Sequence, residues 1–458
     1  MRKALLVLAN SARGLSTYPA VYQCANELKE RNFHVTIVTD STCDDENIKC
    51  FFDEVHIIQA KGWLDELLKY TKFIIQNNYE YVICFDPNDA KNVAIASIFN
   101  RFNKYIYYNL EISEKPSEII PQEIPNDRPL YIWGAGKFGQ KAIQWVRQSG
   151  FKATGFIDNN SAKWGEEFEG LPIHSPLTLE KSNADDRPYV IIGSMYIGEI
   201  SAQLRELGYD SKGYSDIYIV DFRDKAMFFV NKILEKLYCY NSCCMVIQDA
   251  IREKISAKHG IKHKCTYYIP NTYYSHSMTD NDSKKCTGSL FFSGGFEELV
   301  ISEIINDVNQ YNHSLTLSGW DRGSGYLERN KDKLAKKNIT IIEHKLSPEE
   351  YVKLVKQYDI GLVWYSRKCD NAHFIGRSSG KLFMYLSCGK PVIVKNLPGM
   401  ADDVKKYKLG KVIDSLAEIP EAIEEIVKDY PFYENNVKNA FVEIFDYKKS
   451  SKAFFDKL

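Results

Sequence analysis

The sequence predicts an α/β protein with parallel sheets, and three observations support this. Short apolar segments that predict strands alternate with amphipathic segments that predict helices along most of the chain. The length of 458 residues exceeds what one core normally holds, so about three domains are expected. A proline-rich stretch and a polar stretch divide the alternating pattern into separate runs.

The first run of alternating elements ends near residue 114. Apolar, often β-branched segments predict strands at residues 4–9, 35–39, 54–58, 81–85 and 105–108. Apolar residues at helical spacing predict helices at 19–32, 63–77 and 90–102. The apolar segment 4–9 is shorter than the core of a signal peptide, so a buried first strand is expected. This run is predicted to be one doubly wound domain.

Residues 114–129 contain four prolines, which predicts a linker. A new run follows it, with strands at 130–133, 153–157 and 189–193 and helices at 140–149 and 198–207. Residues 128–222 are therefore predicted to form a small domain by themselves.

This small domain carries the sequence GAGKFG, with glycines at Gly134, Gly136 and Gly139, and Asp158 follows its next strand. Glycines in such a loop let the backbone approach a pyrophosphate, and the acid is placed to hold a ribose. Three interpretations stay open: NAD-dependent redox chemistry, binding of another nucleotide or nucleotide sugar, and a structural role.

The pattern then resumes and continues to the last residues. Strands are predicted at 245–248, 266–269, 289–292, 315–318, 340–342, 360–364 and 391–394, with a polar linker at 275–285. Helices are predicted at 225–238, 249–259, 297–310, 348–357, 419–429 and 434–457, and a further one lies between Ser379 and Gly389. The last helix mixes aromatic residues with lysines; packing on the protein and contact with an anionic membrane surface both stay open.

Residues 376–399 join a polar loop, a helix and a buried strand. Ser378 and Ser379 are good N-cap residues, Lys381 lies in the first turn, and Gly389 ends the helix. A helix N-terminus carries free N–H groups and partial positive charge, and a lysine beside it adds a full charge. The segment therefore predicts a diphosphate site.

Composition excludes several classes of function. Lys plus Arg number 59 against 60 Asp plus Glu, so the chain has no overall field for nucleic acid and no such partner is expected. The eleven cysteines show no zinc-ligand spacing, so no metal site is predicted and a reduced, cytoplasmic protein is expected. No segment reaches the roughly 20 apolar residues that span a membrane.

The third run resembles the donor half of a GT-B glycosyltransferase. The resemblance rests on FFSGGFE at 291–297, LTLSGWD at 315–321, YDIGLVWY at 358–365 and SSGKLFMYLSCGKPVIV at 378–394. The first run, with FDPNDA at 85–90 and YYNLE at 107–111, and the segments MVIQDAIREKI at 245–255 and YIPN at 268–271 resemble the acceptor half. The resemblance implies two facing Rossmann-like domains with a third Rossmann-like domain inserted in the N-terminal one.

The implied domains are a split N-terminal acceptor domain (1–115 and 224–285), the insert (128–222), a donor domain (286–440) and a last helix (441–458) that packs back on the N-terminal domain. The resemblance also implies the activity, which is sugar transfer from a UDP- or GDP-linked donor to a glycan or lipid-linked acceptor. Assembly of a surface polysaccharide such as a capsule or O-antigen is expected, in the cytoplasm or at the inner face of the membrane.

The resemblance further suggests roles for individual residues. On the donor side these are Lys381 and Ser379 at the diphosphate, the loop Ser293, Gly294 and Gly295 close to the phosphates, Arg252 reaching across from the acceptor half, and Glu343 and His344 at the base or ribose. Glu111 and Asp86 are the candidates that orient or deprotonate the acceptor hydroxyl. Each has an ordinary structural role as its alternative.

The sequence departs from the family pattern at one place. Many retaining members carry two glutamates eight positions apart, where this chain has Gly376 and Met384. The stereochemical outcome therefore stays open, and a nonenzymatic nucleotide-sugar sensor or scaffold remains an alternative. The family generally works without a metal, so no cofactor is expected, apart from a nucleotide or nucleotide sugar in the inserted domain. A homo-oligomer is left open.

Overall fold

The computed structural model describes residues 2–8, 19–40, 50–100, 103–112, 128–148, 150–180, 187–194, 196–209, 217–219, 225–274, 286–294, 304, 314–319, 339–343, 348–365 and 370–458. The predicted helix at 297–310, together with Gly295 and His344, lies outside these residues, except for Ile304.

The strands are short and mostly buried, as expected for parallel sheets covered on both faces. In chain order they are β1 (Arg2–Leu8), β2 (Phe33–Thr39), β3 (Glu54–Ile57), β4 (Tyr81–Cys84), β5 (Lys104–Tyr108), β6 (Leu130–Trp133), β7 (Gly155–Ile157), β8 (Glu167–Phe168), β9 (Leu171–His174), β10 (Tyr189–Ile192), β11 (Ile217–Ile219), β12 (Cys244–Ile247), β13 (Thr266–Tyr268), β14 (Leu290–Ser293), β15 (Leu315–Gly319), β16 (Ile339–Glu343), β17 (Ile360–Val363), β18 (Val392–Lys395) and β19 (Gly410–Ile413).

The helices lie between the strands and cover the sheets. Their bounds are Pro19–Glu30, Trp63–Gln76, Pro87–Phe99, Lys137–Gln148, Ile197–Glu206, Lys225–Asn241, Ala250–Lys258, Pro348–Lys356, Asp370–His373, Gly380–Ser387, Met400–Tyr407, Ile419–Lys428, Tyr430–Ala440 and Tyr447–Phe455.

The described residues form three sheets. The first has the order β13-β12-β5-β4-β1-β2-β3, the second β11-β10-β6-β7-β9-β8, and the third β16-β15-β14-β17-β18-β19. Within the described strands, β8 and β9 pair antiparallel and the other pairs are parallel. The predicted α/β class with parallel sheets is confirmed.

The first sheet is discontinuous in sequence. β5 pairs with β12 in register, with Ile106 opposite Cys244, although the whole second sheet lies between these strands in the chain. This pairing is what an insertion into the N-terminal domain would produce. Separate apolar clusters cover each of the three sheets on both faces.

The C-terminal residues differ from the single helix predicted at 434–457. The helix Tyr430–Ala440 ends in a π-helical turn, and Asp446 caps a new helix by accepting a hydrogen bond from the N–H of Lys449 at 3.1 Å. Tyr447, Phe454 and Phe455 of this helix are buried in the core of the first sheet. Each such burial stabilises by about 1.5–3 kcal/mol, so these rings face the protein and not a membrane.

Candidate functional site

Each sheet has one place where the strand order reverses, and ligands of open α/β sheets bind beyond the carboxyl ends of the strands at this place. In the third sheet it lies between β14 and β17. Gly294 follows β14 there with φ +158°, and Trp364 and Tyr365 follow β17. The predicted donor site therefore lies where the topology favours a ligand.

Lys381 reaches this place from the helix Gly380–Ser387. Its Nζ lies 4.5 Å from the ring centre of Phe292 and 4.5 Å from that of Tyr365. A Cβ built on Gly294 would lie 3.3 Å from the same Nζ. The structure thus brings together Lys381 and Gly294, and the ammonium is flanked by aromatic rings, which attract a cation.

Ser379 has a structural role at the start of this helix. Its buried Oγ accepts a hydrogen bond from the N–H of Leu382 at 3.3 Å and shares a 2.8 Å hydrogen bond with the hydroxyl of Tyr365. The cap fixes the first turn, whose N–H groups lack partners within the helix. Ser379 therefore orients the helix start, and its hydroxyl is already bonded within the protein.

Ser293 also bonds within the protein, because the hydroxyl of Tyr351 donates to its Oγ. Its contribution to the predicted site is then its position at the end of β14, beside Gly294. Sequence reasoning missed Tyr351 and Tyr365 as parts of this site. The signal for Tyr365 was its place just after β17, a strand at the reversal point of the sheet.

The positions that carry glutamates in many retaining relatives have a physical explanation here. Gly376 has φ +36°, and a Cβ at this position would lie 3.0 Å from Oδ2 of Asp249. A glutamate would therefore be strained and close to another carboxylate. Met384 is 1% exposed within the core of the third sheet, so an acid there would be buried.

Asp86 follows β4 and caps the helix Pro87–Phe99. Its Oδ1 accepts from the N–H groups of Asn88 at 2.6 Å and Asp89 at 3.0 Å. Burial, together with the nearby charge of Glu111, raises the pKa of Asp86 to about 6. The two predicted acids therefore lie close enough to interact, at the carboxyl ends of the neighbouring strands β4 and β5.

The raised pKa of Asp86 makes stability depend on pH. Between its ordinary value of 3.8 and about 6, the folded state keeps a proton that the unfolded chain releases, so the free energy of unfolding falls as pH rises through this window. The loss is at most about 3 kcal/mol. We expect Asp86→Asn, which preserves the cap, to remove this loss. Urea midpoints at pH 4, 5, 6 and 7 check it, and an identical pH dependence in both proteins would contradict it.

Arg252 is fully buried, whereas an arginine that binds phosphate would present its guanidinium to the cleft. Its Nε donates to Gln248 at 2.8 Å, one terminal nitrogen to the carbonyl of Leu110 at 2.9 Å, and the other to the carbonyl of Phe374 at 3.1 Å. It does contact the donor half, through Phe374 and Asn371. In this structure, however, it binds protein groups, because a buried guanidinium without partners would be very costly.

The glycine loop of the second sheet is tightly packed. A Cβ on Gly134 would lie 2.5 Å from the carbonyl oxygen of Gly193, and one on Gly139 would lie 1.8 Å from the carbonyl oxygen of Gly134. Around Gly136 nothing lies within 4 Å of a built Cβ. Two of the glycines thus serve close packing at the reversal point between β6 and β10, and Gly136 faces open space.

Asp158 is engaged by the same loop. Its carboxylate accepts hydrogen bonds from the N–H groups of Ala135 at 2.8 Å and Asn160 at 2.9 Å, and from Nζ of Lys163 at 3.1 Å. These bonds give Asp158 a structural role in holding the loop, and a carboxylate can accept about four hydrogen bonds. The three interpretations of this loop therefore stay open.

Substitution of Gly139 is expected to destabilise the protein, whereas the same substitution of Gly136 is not. Gly139→Ala would force backbone apart in the second sheet, so we expect a loss of at least about 1–3 kcal/mol in the stability of this segment. Gly136→Ala meets open space and is the matched control. Limited proteolysis of residues 128–222 checks the difference, and equal cleavage rates for both variants would refute the packing argument.

The structure gives few contacts for the remaining predicted residues, which are Glu343, Gly295 and His344. Glu343 ends β16, the edge strand of the third sheet, and its side chain lies outside the description, as do Gly295 and His344. In the described part of the chain no cluster of His, Cys, Asp and Glu could hold a metal ion. None of the described helices is long and apolar enough to cross a bilayer.

Two family models match parts of this chain. A family model described as "Glucosyltransferase 3-like, C-terminal domain" matches residues 290–446, and one described as "C2185-like, N-terminal" matches residues 126–213. A search of curated proteins found no match.

Many solved structures are similar over the whole chain, and the following two are examples. Anabaena HepE in complex with UDP and glucose has a TM-score of 0.56 at 10% identity, covering 100% of this chain and 99% of HepE. Sucrose-phosphate synthase from Thermosynechococcus elongatus has a TM-score of 0.51 at 11% identity, covering 100% of this chain and 98% of the synthase. At such identities the similarity establishes the fold, which is GT-B.

Proposed function

We propose that this chain, with its GT-B fold, is a glycosyltransferase that moves a sugar from a nucleotide-sugar donor to a glycan or lipid-linked acceptor. The observation that carries the proposal is the approach of Lys381 to Gly294 at the reversal point of the third sheet. The glucosyltransferase-like family model over residues 290–446 and the UDP and glucose bound by HepE favour the same activity.

In this proposal the donor diphosphate lies between Lys381 and the backbone after β14. The ammonium and the first N–H groups of the helix Gly380–Ser387 stabilise the negative charge that develops as the sugar–phosphate bond breaks. Lys381 supplies a fixed charge, so a metal ion is not needed for this step. We expect turnover to persist in EDTA, and activity that returns only with manganese would contradict this.

Glu111 and Asp86 act on the acceptor. Both follow strands of the first sheet, and the charge of Glu111 contributes to the raised pKa of Asp86. Glu111 is only partly buried, whereas Asp86 is buried and engaged as a helix cap. Glu111 is therefore our candidate for contact with the acceptor hydroxyl, whose proton a carboxylate can take as a general base, and Asp86 is the second candidate.

Surface polysaccharide synthesis in the cytoplasm, at or near the inner face of the membrane, is the setting we propose. The acceptor would be a growing capsule or O-antigen chain. Contact with the membrane through the aromatic residues of the last helix is disfavoured, because Tyr447, Phe454 and Phe455 pack in the core of the first sheet.

One observation favours a second candidate function, a nucleotide-sugar sensor without turnover. The buried Met384 replaces an acid that many retaining enzymes place at the sugar. A sensor would bind the donor as an enzyme does and would not release its nucleotide.

The discriminating experiment is a thermal-shift panel with UDP, UDP-glucose, GDP, CMP and NAD, followed by an assay for nucleotide release from whichever sugar donor stabilises the protein most. Stabilisation by UDP or GDP together with release supports the enzyme, and stabilisation without release supports the sensor. A shift with NAD alone that is lost when Gly136 is replaced by a bulky residue would refute both.

A further inference from the structure

Arg252 connects two parts of the chain that the proposed reaction requires to face each other. It lies on the helix Ala250–Lys258, which follows β12 of the first sheet. One terminal nitrogen donates both to the carbonyl of Leu110, at 2.9 Å, and to Oδ1 of Asn371, at 3.0 Å. Leu110 follows β5 of the first sheet, and Asn371 precedes the diphosphate segment of the donor half. A single buried side chain thus bonds to both halves.

The backbone on each side of Glu111 is bonded to the donor half. The carbonyl of Leu110 also accepts from the hydroxyl of Ser378 at 3.2 Å, and the N–H of Ile112 donates to Oδ1 of Asn371 at 3.2 Å. We name Arg252, Asn371 and Ser378 the cross-cleft clasp. Through the clasp, the residue before Glu111 and the residue after it are each fixed to the opposite domain.

The donor end of the clasp leads directly to Lys381. The N–H of Arg377 donates to Oδ2 of Asp249 at 3.2 Å, and the amide of Asn271 donates to the carbonyl of Ser378 at 3.2 Å. Both partners belong to the N-terminal half. The residues that immediately precede the cap Ser379 are therefore held by the same domain that carries Glu111.

A buried arginine suits this task better than other residues would. Its planar guanidinium presents several donors in fixed directions and stays charged, so it can bond to several carbonyl oxygens at once. Gln248 fixes the guanidinium of Arg252, because its amide oxygen accepts from Nε at 2.8 Å while its amide nitrogen donates to the carbonyl of Asn109 at 3.0 Å. The fork is thereby fixed before any substrate binds.

We infer that Arg252 is a positioning residue, which, with Asn371 and Ser378, sets the placement of Glu111 relative to Lys381 for sugar transfer. This inference rests on the proposed function. It assigns Arg252 a role other than phosphate binding. Misplacement of reacting groups by about 1 Å can cost about 100-fold in rate, so loosening the clasp affects the chemical step more than it affects nucleotide binding.

The test uses the full-length chain with Asn371→Ala, Ser378→Ala, their double variant and Arg252→Lys. Asn396→Ala is the matched control, because that amide bonds to Asp414 at the surface of the donor half. Two quantities are measured, the Kd for UDP and the kcat for release of UDP from UDP-glucose with water as acceptor. We expect kcat to fall about 10- to 100-fold in the double variant while Kd changes less than about threefold. A role in phosphate binding would instead raise the Kd for UDP together with the fall in kcat.

A readout without ligand keeps the inference testable if Arg252→Lys does not fold or if the wild type releases no UDP. Small-angle scattering of the double variant is expected to give a larger radius of gyration than that of Asn396→Ala, because the halves lose two of the side chains that join them. An unchanged radius with unchanged kcat overturns the inference. A wild type that binds no nucleotide refutes the proposed function, whereas an expanded double variant would still support the clasp.

Discussion

Replacing Lys381 by methionine is expected to abolish nucleotide-dependent stabilisation and to lower kcat/KM about 100- to 1000-fold, the usual loss on removing one donor to a developing charge. Methionine keeps an apolar stem of similar length between Phe292 and Tyr365, so the site stays packed and only the charge is lost. Hydrogen bonds to charged groups contribute about 1.5–3 kcal/mol. The Kd for UDP should therefore rise at least about tenfold, which a calorimetric titration measures.

The matched control for this change is Lys406→Met. Lys406 also lies over an aromatic ring of the donor half, 4.8 Å from the centre of Tyr407, but on the last turn of another helix. We expect it to bind UDP as the wild type does. If Lys381→Met binds UDP with the wild-type Kd, the diphosphate does not lie at this helix start and the proposed donor site is wrong.

Glu111→Gln is expected to lower kcat about 100- to 10,000-fold, the range for loss of a general base, and to leave the Kd for UDP unchanged. The amide keeps the size of the side chain but cannot take a proton. The measurement is release of UDP from UDP-glucose, with and without the acceptor once that is known. Glu253→Gln, at an acid that accepts from the hydroxyl of Tyr268 on the same half, is the control.

The pH dependence gives a second readout of the same substitution. Because the charge of Glu111 contributes to the raised pKa of Asp86, Glu111→Gln should lower that pKa and weaken the fall in stability between pH 4 and pH 6. A variant that keeps wild-type turnover would exclude Glu111 as the base. Asp86 would then be the remaining candidate of the pair.

The two main residues of the proposed donor site could be chosen from sequence because their signals are local. Gly294 directly follows a strand, and Lys381 lies two residues after a good N-cap residue in the segment 376–399. Topology then brings the two together, because β14 and β17 flank the reversal point of the sheet. The α/β class followed in the same way from strand and helix periodicity.

The contacts of Arg252 could not be predicted, because its partners are distant in sequence. Leu110 lies 142 residues before it and Asn371 lies 119 residues after it, so no local pattern distinguishes this arginine from a surface residue. The aromatic partners of Lys381 could not be predicted for a related reason. In the sequence Phe292 is an ordinary strand residue and Tyr365 an ordinary residue after a strand, and only the folded sheet places both rings beside one ammonium group.

The break in the C-terminal helix was also not predicted, although Asp446 is a good capping residue. Apolar residues continue at helical spacing across the π-helical turn Phe441–Phe445, so periodicity alone predicts one helix. The chain instead changes domain here: Phe441 and Phe445 pack in the core of the third sheet, and Tyr447 packs in that of the first. Tertiary packing thus overrides the local pattern.

This change of domain makes the last helix part of both halves. The N–H of Tyr447 donates to the carbonyl of Tyr273 at 2.9 Å, and the rings of Tyr274 and Tyr447 are 5.8 Å apart. Tyr273 packs against the core of the third sheet, whereas Tyr274 and Tyr447 pack with that of the first. Removal of the last helix would therefore disturb the packing of both halves and not of one alone.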